Sequence, residues 1–179
     1  MELYNGNISN ALLAGAMQLM KAENSSEHMT MLLRELDHSK LITPVALDPG
    51  AEETPSGDRI IPKGARVEFP MVSTREGKRF FVAFTDKMSY DNAVKPDGGM
   101  NLPARFNEIA VITFEELSQM MVLPENPENL GTAGLILNPV GENIVVARET
   151  AAMLMTKKME LMNQAVDKLK AEGKIPQDV

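Results

Sequence analysis

The chain has 179 residues, 44% apolar and 24% charged, which fits one soluble globular domain with a well-buried core. A net charge of −7 and a pI near 4.9 argue against nucleic acid or an anionic membrane as partner, because neutralising phosphates takes clustered Lys and Arg. There is no cysteine, which excludes disulfides, thiolate metal sites and a cysteine nucleophile and fits a reducing compartment.

The longest largely apolar stretch, Ala11 to Met20, is too short to span a bilayer. It also lacks the basic leader and small-residue cleavage site of a signal peptide, so a cytoplasmic location is expected. Fourteen Met against two Tyr and no Trp is an unusual inventory. Met fills irregular cores, and it also suits surfaces that adapt to several partners.

Ser9 or Asn10 can cap a first helix whose apolar positions Leu12, Leu13, Ala16, Met17 and Met20 follow a helical period. Asn24, followed three residues later by Glu27, has the pattern of a capping box and starts a second helix. Met29, Leu32, Leu33 and Leu36 make its buried stripe, and His38 falls in its last turn, where a cation meets the negative end of the helix dipole. Leu41 to Leu47 reads as the first strand, with Pro44 favouring an edge or a bulge. Asp48 to Lys63, rich in Pro, Gly, Glu and Asp, reads as loop.

Val67 to Val72 and Phe80 to Phe84 are the next strands, joined by a turn at Glu76-Gly77. Phe80, Val82 and Phe84 share one face of the latter; Phe81 and Ala83 share the other. Arg75, Lys78 and Arg79 around that turn read as a solvated hairpin tip. Thr85 or Asp86 can cap a short helix through Val94, and Lys95 to Pro103 is a second loop. After a short strand at Ile109 to Ile112, Thr113 and Glu116 form a capping box for a helix that buries Leu117, Met120 and Met121 and ends at Pro124.

Residues 134 to 146 read as two short strands around Asn138-Pro139, Gly141 and Asn143, a tight turn. A last helix, 149 to 172, stops at Gly173 with Pro176 beyond. Along it Met155, Met159, Met162, Val166 and Leu169 step by four and three residues, a coiled-coil-like seam of about two heptads. That stripe packs either on its own domain or on a partner.

The sum is an α+β fold: a mostly antiparallel sheet of five or six strands packed with helices, with helical extensions at both termini. No internal repeat is present.

Taken in order, these segments resemble the N-terminal domain of the SseB, or enhanced serine sensitivity, protein family. The similarity is carried by Leu32-Leu33-Arg34-Glu35-Leu36 running into Leu41-Ile42-Thr43-Pro44-Val45, by the run from Glu76 through Phe84-Thr85-Asp86, and by Gly134-Leu135-Ile136-Leu137-Asn138-Pro139. It spans roughly residues 30 to 155. The resemblance implies a bacterial protein with a single domain over 1–179, and it implies the fold far more strongly than an activity. The family also includes longer proteins with a second, C-terminal domain, for which this chain has room only for helix.

Catalytic chemistry is hard to place. His28 and His38 lie on one predicted helix, about three turns or roughly 15 Å apart, too far to share a metal, and both read as surface residues. Glu52 with Glu53, Glu115 with Glu116, and Asp48 with Asp58 read as solvated loop or helix-start acids rather than a rigid acid–base pair. Gly98-Gly99 lacks the strand–loop–helix frame and the Lys of a phosphate-binding loop. No metal site and no cofactor are expected. The expectation is a non-catalytic protein-interaction or scaffold module, meeting a protein partner or a second copy through the seam from Met155 to Leu169. The alternative is a small-molecule binder or enzyme at the strand ends, where Phe84, Thr85, Asn138 and Pro139 would meet.

Overall fold

The computed structural model describes residues 1–6, 8–122, 132–172 and 174. Its chain order is β1 (Glu2–Leu3), α1 (Ala11–Ala22), α2 (Ser26–Asp37), β2 (Lys40–Asp48), β3 (Glu52–Glu53), β4 (Arg59–Ile60), β5 (Arg66–Glu68) and β6 (Met71–Ser73). There follow β7 (Arg79–Ala83), α3 (Lys87–Val94), β8 (Glu108–Thr113), α4 (Phe114–Val122), β9 (Thr132–Leu137), β10 (Ile144–Ala147) and α5 (Arg148–Ala171). The fold is α+β with mostly antiparallel pairing, and only β7 with β9 runs parallel among the described strands.

The central strands are apolar on both faces because both are covered. Leu41, Phe81, Ala83 and Ile112 point into a core shared with α1, α2, α4 and α5. Their neighbours Ile42, Val82, Phe84 and Val111 point the other way, into a smaller core closed by Ala93 of α3 with Tyr90 and Met100. The period of two in the sequence thus sorts each strand between two layers. Leu13, Met17, Leu32 and Leu36 fix the two-helix hairpin α1–α2 on the larger core.

Two four-stranded sheets, ordered β1-β8-β2-β5 and β10-β9-β7-β6, meet where Ile42 and Phe84 exchange backbone hydrogen bonds. Pro44 lies just past that bridge. In an antiparallel strand alternate residues turn their polar groups to the same edge, so the missing N–H of Pro44 falls between the Ile42 bridge and the β5 pairing that begins at Ala46. β2 is therefore a central strand with a local free edge where the proline sits.

Several expectations need correction. Leu12 is 75% exposed, because the buried stripe of α1 runs through Leu13, Ala16, Met17 and Met20 and leaves Leu12 outside it. The cap of α2 is Ser25, whose hydroxyl accepts from His28 N–H at 3.2 Å, one residue beyond Asn24. The run Val67 to Val72 is not one strand: Phe69-Pro70 breaks it into β5 and β6, which join different sheets. The 48–63 loop contains the ribbon β3–β4. Thr113 and Glu116 do form the capping box, with Thr113 N–H donating to Glu116 and Glu116 N–H to Thr113 Oγ1. Pro124, Gly173 and Pro176 lie outside the described residues.

Candidate functional site

The strand ends Phe84-Thr85 and Asn138-Pro139 come together through the parallel pairing of β7 with β9, which sets Ala83 beside Leu137. Asn138 begins the β9–β10 turn at φ 48°, a left-handed conformation that Asn tolerates better than most residues. From there its N–H donates to Ala83 O at 3.0 Å, and its carbonyl accepts from Gly141 and Asn143. Its side-chain Oδ1 accepts from Thr85 N–H at 3.0 Å, and Nδ2 donates to Thr85 Oγ1 at 3.0 Å and Glu142 Oε2 at 2.8 Å.

Thr85 is used as completely. Its hydroxyl donates to Asp86 Oδ2 at 2.8 Å, and its carbonyl accepts from Asn10 Nδ2 at 2.7 Å. Of the two candidate caps for α3, Asp86 is the one used, accepting from Ser89 N–H at 2.8 Å and from the Ser89 hydroxyl. Partial burial would raise the Asp86 carboxyl, but the hydrogen bonds from Ser89 and Thr85 outweigh it and hold the group below the ordinary aspartate range.

Phe84, Thr85 and Asn138 are buried, at 0%, 1% and 3% exposure, and each polar atom of Thr85 and Asn138 has a partner inside the protein. Together they form a polar knot that locks three chain segments. Asn10 belongs to it too, and sequence reasoning missed this: its side chain makes no helix cap but bridges Lys40 O and Thr85 O. No local pattern marks such a role, because its partners are 30 and 75 residues away.

Pro139 and Val140 instead face a groove of about 760 Å³. The rest of its wall comes from β5, β6 with the Phe69-Pro70 link between them, the start of β7 and the loop from Gly99 to Phe106. Arg105 grips Glu68 with two hydrogen bonds, 2.7 and 3.1 Å, and lies over the Phe106 ring. Those bonds keep the Glu68 carboxyl below its usual range. Arg66 and Arg79 also line the groove.

The predicted seam divides in two. Ala151 is buried, Met155 is half-buried, and Lys158 donates to Glu115 at 2.5 Å and pairs with Asp37, clamping the helix to α4 and α2. Beyond that clamp Met159 and Met162 are 62% and 61% exposed, and Val166 and Leu169 are exposed with them. The two His do not converge: His28 Nδ1–H donates to Glu23 O at 2.8 Å while His38 is exposed at the end of α2. Among the described residues no group of three or more His, Asp or Glu is placed to hold a metal ion, and no helix is long and apolar enough to cross a membrane.

These features define an α+β domain whose β7 and β9 ends are joined by a buried polar knot. Residues 13–152 match the family model described as SseB protein N-terminal domain, and the chain belongs to that family. Comparison with curated proteins and with solved structures gives no match.

Proposed function

We propose that this is a cytoplasmic, non-catalytic protein-interaction module, and that the distal half of α5 is the element through which it meets a second copy of itself. The observation that carries this reading is the exposed stripe Met159, Met162, Val166 and Leu169 beyond the Lys158 clamp. Large apolar side chains repeated at seam spacing are costly to leave in water, and a second helix buries them. Val at one seam position and Leu at the next favour a pair of strands. The strand-end alternative, a small-molecule site or enzyme at Thr85 and Asn138, has weaker support, since both residues already spend their polar atoms on each other.

Light scattering on the full chain tests the proposal. A dimer that becomes a monomer of unchanged helicity on substituting Met159→Lys and Met162→Lys is expected. A wild-type monomer at high micromolar concentration, or a dimer indifferent to both substitutions, overturns it.

A further inference from the structure

All the sulfur of this chain is in thioethers, since it has fourteen Met and no Cys. Met17 and Met121 are fully buried in the larger core, where an oxidant in water does not reach them. Met159 and Met162 are open to solvent, and they occupy adjacent positions of the α5 stripe beyond the Lys158 clamp. Met88 of α3, 72% exposed, and Met153 are as open but lie off that stripe.

What oxidation does depends on that placement. A peroxide transfers one oxygen atom to a thioether: the sulfur loses two electrons, the O–O bond breaks, and the peroxide leaves as water or an alcohol. The product is a sulfoxide, a polar group that accepts hydrogen bonds. On Met88 that group remains in water. On Met159 or Met162 it would have to enter the contact with a second helix. The other side chains of the exposed stripe, Val166 and Leu169, have no hydrogen-bond donor to offer it there.

We propose that Met159 and Met162 are modification sites, and that their oxidation to sulfoxide by a peroxide separates the α5 pair. This rests on the self-association proposed above. The two states exclude one another: pairing covers both sulfurs, so the oxidant reaches only the monomer, and an oxidised monomer no longer pairs.

The full-length protein is treated with hydrogen peroxide, and sulfoxide at each Met is quantified by peptide mass spectrometry beside light scattering. A dimer before treatment is expected to become a monomer of unchanged helicity once Met159 and Met162 are oxidised. The dimer dissociation constant is expected to rise at least about a hundredfold. Met159→Leu with Met162→Leu keeps volume and apolarity without the oxidisable sulfur, and this variant is expected to remain dimeric through the same treatment. Well below the dissociation constant, Met159, Met162 and Met88 are expected to oxidise at similar rates. At a concentration about a hundredfold above it, mass action leaves few monomers, and the two stripe residues are expected to react about tenfold more slowly than Met88. A dimer that survives full oxidation of both stripe residues overturns the proposal and leaves self-association standing. So does dissociation of the doubly substituted variant by peroxide, which would place the effect at another Met. Equal oxidation rates at every concentration of a dimeric protein likewise overturn it. An untreated monomer overturns both this proposal and the self-association on which it rests.

Discussion

The strand-end knot and the distal half of α5 treat their sequence-conspicuous residues in opposite ways. At the knot, two polar side chains are almost fully buried and completely partnered. Along α5, beyond Lys158, apolar side chains stand in solvent. Burying a polar group is tolerable only when its hydrogen bonds are replaced, so the knot specifies which strands meet. An exposed apolar stripe specifies nothing inside its own domain, and its spacing has meaning only toward another surface. Conspicuous sequence therefore marks an internal lock in one region and a candidate contact in the other.

Substitutions can break this contrast. The largest effect is expected near the start of β9, the strand that carries Asn138 at its other end, at Gly134, which takes φ +152° where β9 shifts register against β7. A Cβ there would meet Val146 O at 2.2 Å, a clash with backbone that no side-chain movement relieves. Gly134→Ala is expected to cost about 3 kcal/mol or more in urea unfolding. Asn138→Ala strands the Thr85 N–H and removes the hydrogen bond that the Thr85 hydroxyl accepts, for an expected loss of about 2–4 kcal/mol. Asn138→Gly should be milder by about 1 kcal/mol, because it relieves the left-handed backbone while losing the same side chain. Equal losses for the two would mean that backbone strain plays no part in the lock.

Asp86 gives a smaller, pH-dependent effect. Its carboxyl is held below its unfolded value, so its contribution is present above about pH 4 and is lost as pH falls through the lower folded value. Asp86→Asn is expected to flatten the acid slope of stability in that window; an unchanged slope would show the cap is not a titrating contact. The smallest effect belongs to α5. Leu161→Ala and Met162→Ala, measured at concentrations where the chain is monomeric, are expected to alter stability by less than about 0.5 kcal/mol. A loss of about 2 kcal/mol would place those residues in a core and remove the contrast.

Much of the fold was legible where a pattern is local. The Thr113–Glu116 box, the alternation in residues 80–84 and the turn at Asn138-Pro139 each carry their signal within a few residues. The separation of β5 from β6 had a signal in Pro70, outweighed by the apolar run on either side. β1, β3 and β4 were missed because strands of two residues have no period. The groove was not legible, since its walls come from segments distant in the chain. Phe84, Thr85 and Asn138 were singled out from sequence, but their burial was not foreseeable, because it depends on α3 and Asn10 closing over them.

The parallel pairing of β7 with β9 also bears on how quickly the chain reaches its native state. β9 and β10 are joined by a short turn and can associate early, as can α1 with α2. The Thr85–Asn138 lock instead joins positions 53 residues apart, and forming it requires closure of all the chain between them. Local hairpins must therefore wait on one long-range encounter. The rate of that encounter, more than the strength of any contact, is expected to set the folding time of the domain.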